Sequence, residues 1–372
     1  MALVNLLKFD RDSCALVSDE EYWHSRRRRI LYGDFVQSLL PANIAEEFDL
    51  EVVYGASGVP NFAIDVVTRT RKELKNIYNS RGNLPESKKM YRTVDDVAQI
   101  LLNNLQTAFR KRADARLEGL YGFNSDDLTR GFYEKEGVKI EIKQKSVKDS
   151  ALGIAQTSKR GTPLDNFLEH QGLIVGWDKE KGIQAYYFNY EDFILYQSAT
   201  DIDCIGKGKD VSQVILANFI NRKHLDARRK GYDRAEGIIE LIASGHEAQA
   251  HTHEIGGYFN IVYINGNGKN HRERYIEANN NTARVANEIA IAYKKGFLKK
   301  DDAFSLIKAL IFQGKDYISV EENLFSNADD PVALDFILRG YKSDFTPENV
   351  ELHEGIPIKA VTEDKKKEGA KK

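Results

Sequence analysis

The opening stretch MALVNLLKFDRDSCALVSDEEYW constrains the fold most. Two short apolar runs, Leu3–Leu7 and Cys14–Val17, flank the polar turn Asp10-Arg11-Asp12-Ser13, which is the pattern of a hairpin. An apolar strand at the very start implies a fold whose beginning lies inside the structure, where a working site would feel it. Two further runs, Phe35–Leu40 and Leu50–Tyr54, are strand-like. The second ends in Gly55-Ala56-Ser57-Gly58-Val59-Pro60, small residues leading into a helix with Pro60 in its first turn.

Another helix starts at Thr93, where Thr93 and Asp96 form a capping box. Residues 119–170 break this rhythm with a charged stretch, one alternating strand (Val138–Ile142) and a polar loop around Ser158–Thr162, and read as an insertion. Strand candidates Leu173–Trp177, Gln184–Asn189 and Phe193–Ser198 follow at hairpin spacing. Helices are expected at Val211–Arg222 and Asp233–Glu247, then a strand at Tyr258–Ile264. Asn265-Gly266-Asn267-Gly268 is a strong turn and a candidate domain edge. Beyond it the pattern is helical over 276–295, 301–313 and 331–340. Antiparallel strands beside paired helices suggest two stacked sheets with helical layers outside.

Composition narrows the class. The chain has 372 residues, 42% hydrophobic and 30% charged, as in an ordinary soluble globular protein. A net charge of −2 gives no global attraction to nucleic acid or an anionic membrane. No apolar run reaches the roughly 20 residues of a membrane span, and the start lacks a signal-peptide pattern. Two cysteines, Cys14 and Cys204, fit a reducing, cytoplasmic setting.

The order of these segments resembles the proteasome β-type subunits of the N-terminal nucleophile hydrolases. "GLIVGWDKEKGIQAYYFNYEDF" is similar to the family's hairpin with a Gly-x-Asp turn, and "DCIGKGKDVSQVIL" to its Gly-Ser-Gly turn opening a helix. "YDRAEGIIELIASG" with "GGYFNIVYI" resembles its later helix, Gly-rich turn and final strand. "MALVNLLKFDRDSCALVSD" and "LEVVYGASGVPNFAIDVV" resemble its first hairpin and its strand–glycine–helix turn. The likeness covers most of 1–78 and 173–264. It implies an α+β fold, the four-layer αββα sandwich, over residues 1–268 with the insertion at about 119–170. A helical extension over 269–340 and a charged C-terminal segment over 341–372 lie outside it.

In active members the residue heading the first strand is Thr, Ser or Cys, and its own amine can accept the proton. Here Met1 or Ala2 stands at that position, and neither can attack a carbonyl. Asp19 matches the aspartate closing the second strand, and Gly55 the glycine whose backbone N–H lines the oxyanion hole. No lysine occurs between Phe9 and Arg71, where the family's lysine falls. Arg29 is the nearest cation, but a guanidinium does not readily give up a proton. Lys207 replaces the serine of the Gly-Ser-Gly turn, and the region of His253 and Gly256 lacks the family's aspartate and serine. The expectation is therefore a self-assembling homo-oligomer, ring or stack, with its threonine-peptidase chemistry weak or lost.

The alternative is an active amide hydrolase acting on protein or peptide. Its nucleophile would be substituted at Ala2 or exposed by processing, with Cys14 or Thr162 as internal candidates. No cofactor is called for. His251 and His253 are weak metal candidates, since two histidines two apart can chelate from a strand but the spacing is not His-Glu-x-x-His. The run Arg26–Arg29 is read as a solvated hairpin or subunit contact ahead of an RNA site.

Overall fold

The computed structural model describes residues 2–24, 27–30, 35–81, 90–156, 170–189 and 194–340. The first elements are β1 (Leu3–Lys8), β2 (Ser13–Ser18), β3 (Glu21–His24), β4 (Arg27–Ile30), β5 (Val36–Ser38), α1 (Ala42–Phe48), β6 (Leu50–Gly58), α2 (Pro60–Asn79) and α3 (Val94–Tyr121). Next come α4 (Ser125–Arg130), β7 (Phe132–Lys135), β8 (Val138–Glu141), α5 (Lys145–Gln156), β9 (His170–Asp178), β10 (Gly182–Asn189), β11 (Leu195–Gln197) and β12 (Ile202–Gly206). Then follow α6 (Lys209–Arg222), α7 (Leu225–Lys230), α8 (Arg234–His251), β13 (Asn260–Asn265), α9 (His271–Arg274), β14 (Tyr275–Ala278) and α10 (Asn280–Lys294). The described chain ends with α11 (Lys300–Ile307), a π-helical turn over Lys308–Phe312, α12 (Tyr317–Asn327) and α13 (Pro331–Gly340).

Two five-stranded antiparallel sheets form the centre, one ordered β12-β1-β2-β13-β14 and the other β11-β10-β9-β6-β5. The period of two along β1 explains how they stack. Val4 and Leu6 point inward and meet Leu16, Val53, Leu173 and Val175 between the sheets. Leu3 and Leu7 point outward and pack with Leu216 of α6 and Ile238 and Ile242 of α8. The second sheet turns Val52, Tyr54 and Ile174 toward Val66 and Leu74 of α2 and Leu101 and Leu105 of α3. The layers are thus α2/α3, sheet, sheet, α6/α8, an αββα sandwich. From Leu3 to Leu7 β1 is apolar, with one exception, because both its faces are covered. The exception is Asn5, whose Nδ2 donates to Ser212 Oγ at 3.0 Å and to Ser244 Oγ at 3.2 Å, fixing both helices over the strand.

The expected capping box is present: Asp96 N–H donates to Thr93 Oγ1 at 3.2 Å and Thr93 N–H to Asp96 Oδ2 at 3.0 Å. Several boundaries differ from expectation. Gly55-Ala56-Ser57 is strand and not turn, because β9 pairs with β6 over its whole length, from Leu50↔Asp178 to Gly58↔His170. Residues 276–278 belong to β14 and not to a helix; this strand pairs back onto β13 and carries the first sheet past residue 268. β12 and α12 were not legible, the former because a five-residue strand is interrupted by Asp203 and ends at Gly206.

The segment after α3 builds its own small core from Leu117, Phe123, Ile142 and Ile154. The loop around Ser158–Thr162 and residues 341–372 lie outside the described residues. Among the described residues no helix is long and apolar enough to cross a membrane.

Candidate functional site

The head of β1 is where several chain ends converge. Ala2 is 1% exposed, and its side chain is a methyl. Its carbonyl accepts a hydrogen bond from Ser57 Oγ at 2.6 Å, while the Leu3 N–H next to it donates to Asp19 Oδ1 at 2.8 Å. Gly206, paired with Leu3, presses against the same carbonyl. A Cβ at Gly206 would stand 1.8 Å from the Ala2 oxygen and 2.7 Å from Ser57 Oγ, and its φ of +95° also favours glycine. The Gly206 N–H donates to Gln171 Oε1 at 2.9 Å, and Gln171 faces Ser57 across the β9–β6 pair. Beyond Asp19, the Glu20 N–H reaches the Gly256 carbonyl at 3.3 Å and brings in the loop after α8.

Ala2, Asp19 and the turn before Lys207 are therefore brought together, and Gly55 lies close by. Gly55 sits inside β6 between Val36 and Leu173, where a Cβ would come within 3.0 Å of Val4 Cγ1. Its visible role is to let the sheets approach. Lys207 points into solvent, its Nζ 3.7 Å from Glu254 Oε2. His253 is exposed in the loop after α8, and His251 is exposed at that helix's last position. Among the described residues no three His, Cys, Asp or Glu side chains gather to hold a metal.

Arg29 belongs to β4, which pairs only with β3 in a separate two-stranded sheet; its side chain, like Met1 and Thr162, lies outside the described residues. Cys14 is buried between the sheets, where burial pushes its thiol pKa up and leaves it a poor nucleophile.

Two polar clusters had no signal in the sequence. On the helix-facing side of the second sheet, the Tyr54 hydroxyl and His170 Nε2 share a hydrogen bond. His170 is 1% exposed, lies edge-on to Phe62 at 4.8 Å, and its Nδ1 has no partner among the described residues. Burial, and secondarily the Arg112 cation, lower its pKa to about 3, so the ring is neutral at physiological pH. The second cluster ties the two sheets together. Arg274 Nε donates to Glu51 Oε1 at 3.2 Å, Nη1 to Asp49 Oδ1 at 2.7 Å and Nη2 to the Ala45 carbonyl at 3.1 Å. His271 Nδ1 lies 3.0 Å from both Glu51 oxygens. Burial raises the Glu51 pKa while His271 and Arg274 oppose it. Both clusters depend on pairings far apart in the chain, which residue spacing does not reveal.

In chemical terms the head of β1 is a closed arrangement. Its carbonyl, amide, hydroxyl and carboxamide groups bond to one another, and the side chain at its centre carries no attacking atom. No protein-family model matches the chain, and no curated protein matches it. Among solved structures it is similar to Anbu (ancestral beta-subunit) from Yersinia bercovieri, with 10% identity and a TM-score of 0.44, covering 74% of this chain and 86% of that one. The αββα assignment stands on this chain's own sheet order and its inner and outer cores.

Proposed function

We propose that this chain is a non-catalytic, proteasome-like αββα protein that works by assembling with copies of itself. The observation that carries the reading is the head of β1. Asp19 and Ser57 hold the backbone of residues 2 and 3, as a nucleophile-bearing strand would require, yet the residue so held is an alanine. The lysine-free stretch from Phe9 to Arg71 removes the family's proton-handling cation as well. Self-assembly follows from the family resemblance and is supported by exposed apolar side chains on the outer helical layers, such as Ile64 on α2 and Val214 on α6. Buried free thiols at Cys14 and Cys204 accord with a cytoplasmic setting.

The second reading, an amide hydrolase whose nucleophile is substituted at position 2, shares the same frame and is separated by one experiment. Hydrolysis of a fluorogenic peptide panel is compared for the native protein, Ala2→Thr and Asp19→Ala, alongside sedimentation velocity. No turnover by the native chain or by Ala2→Thr, with an oligomeric particle, is expected. Native turnover abolished by Asp19→Ala overturns the non-catalytic reading, turnover gained by Ala2→Thr favours the second, and a strictly monomeric particle removes the assembly claim.

A further inference from the structure

The edges of the two sheets are not treated alike. At β5 the outward carbonyl of Ser38 accepts from the Arg71 guanidinium, Nε lying 2.8 Å away. At β12 the outward Gly206 N–H donates to Gln171 Oε1 at 2.9 Å, and the outward Ile202 carbonyl accepts from Thr200 Oγ1 at 2.6 Å. Side chains that occupy an edge in this way keep it from pairing with another chain.

β11 has no such cover. It lies at the margin of the second sheet and pairs with β10, Tyr196 opposite Tyr187. The Ser198 N–H donates to the Ala185 carbonyl at 2.8 Å, which sets the phase of the ladder. In an antiparallel pair every second residue bonds across. Tyr196 and Ser198 therefore turn their backbone groups toward β10, while Leu195 and Gln197 turn theirs outward. Among the described residues those outward N–H and C=O groups have no backbone partner.

The side chains and the composition of the strand point the same way. Tyr187 packs against the core between the sheets, and Tyr196 beside it belongs to the same face. Yet Tyr196 is 46% exposed, and Ile194, just ahead of the strand, is 50% exposed, so the first sheet leaves this margin uncovered. The stretch Ile194–Thr200 holds no charged residue and no proline, the devices that commonly guard an edge. Its far end is fixed in place, because Lys8 Nζ donates to the Ser198 carbonyl at 3.3 Å.

We propose that β11 is a docking edge for a second copy of this chain, pairing antiparallel with the same strand about a twofold axis through Tyr196. The proposal rests on the self-assembly reading above and names one contact within it. The occupant follows from the register: the open groups of Leu195 and Gln197 flank Tyr196 symmetrically, so the same segment reversed meets both. Leu195 of each copy faces Gln197 of the other, and each of these two pairs exchanges both N–H to C=O bonds. Tyr196 meets its counterpart in the closely spaced position between them, where aromatic pairs stabilise a sheet. The second sheets of the two copies become continuous, and the contact closes on itself without leaving a free β11 edge.

The test is sedimentation velocity of the full chain, native against Gln197→Pro and Tyr196→Glu, with circular dichroism to confirm the fold. Because the Gln197 N–H faces away from β10, proline there removes an outward donor without breaking the β10–β11 ladder. Each variant should weaken association at least about tenfold, through two lost backbone bonds in one case and facing like charges in the other. Tyr196→Cys should give a disulfide-linked dimer on mild oxidation, since facing residues at that position stand about 4.5 Å apart at Cα. Ser198→Cys should not, because it faces Ile194 of the second copy. A chain that assembles but is indifferent to Gln197→Pro, or forms no cross-link through Tyr196→Cys, overturns this contact and leaves self-assembly standing. A native chain that stays monomeric overturns both.

Discussion

The Glu51–Arg274 pair gives the sharpest energetic prediction. Arg274 is 3% exposed and Glu51 1%, and they join β6 of one sheet to α9, the connection that feeds the edge of the other. Arg274→Met keeps the aliphatic stem but leaves Glu51 facing His271 alone. Removing one partner of a buried pair costs about 3–5 kcal/mol, chiefly because the remaining charge is uncompensated. Glu51→Gln is milder, because Arg274 keeps Asp49 and the Ala45 carbonyl, and should cost about 1–3 kcal/mol. The double variant should lose less than the sum of the singles, by about 1–3 kcal/mol.

Urea unfolding is the assay, and Trp177, paired with Glu51 across the β9–β6 ladder, is a local reporter. pH supplies an independent check. Burial holds the Glu51 pKa above its ordinary value, so the folded protein binds that proton more tightly than the unfolded chain does, and protonation through this window is stabilising. With Arg274 gone the carboxyl rises further, so the deficit of Arg274→Met should narrow as pH falls from 7 toward 5. Additivity of the two substitutions within about 0.5 kcal/mol, or a deficit that widens on acidification, refutes the coupling.

Two further outcomes concern the second sheet and the head of β1. The His170 pKa, about 3 when folded, lies below the ordinary 6.5, so its contribution is fully present above pH 6.5 and is lost as pH falls toward 3. His170→Phe should lower stability at pH 7 but flatten its decline between pH 6 and 4, by up to about 1.4 kcal/mol per unit; an unchanged slope in urea midpoints contradicts a buried neutral histidine. Gly206→Ala sets a methyl against the Ala2 carbonyl at a φ of +95° and should cost about 3 kcal/mol or more. Gly119→Ala, in helix α3 with open space around it, should instead gain about 0.5–1 kcal/mol. Equal effects of the two substitutions on thermal melting would show that the contact at Gly206 does not constrain the chain.

What the sequence revealed and what it hid follow one physical division. The hairpin of β1 and β2, the capping box at Thr93, and the strands β9 and β10 are written in local periodicity and turn chemistry. Each was legible because the signal lies within a few residues of the element it specifies. The contacts that make the site are of another kind. Ser57 meets Ala2 across 55 positions, Tyr54 meets His170 across 116, and Glu51 meets Arg274 across 223. Pairing of β6 with β9 brings the second pair together and the stacking of the two sheets the other two, and no spacing rule anticipates either.

Gly55 shows how the two levels mislead one another. Read locally, Gly55-Ala56-Ser57-Gly58 is a turn; in the fold, β9 pairs with all of it, and the small residues serve the close approach of Val4 and Ala2 instead. The same residues that resemble an oxyanion turn are thus used to seat the head of β1. With Asp19 and Ser57 holding its backbone and Gly206 pressed against its carbonyl, the head of β1 is fixed by three separate chain segments, while the side chain held there is only a methyl group.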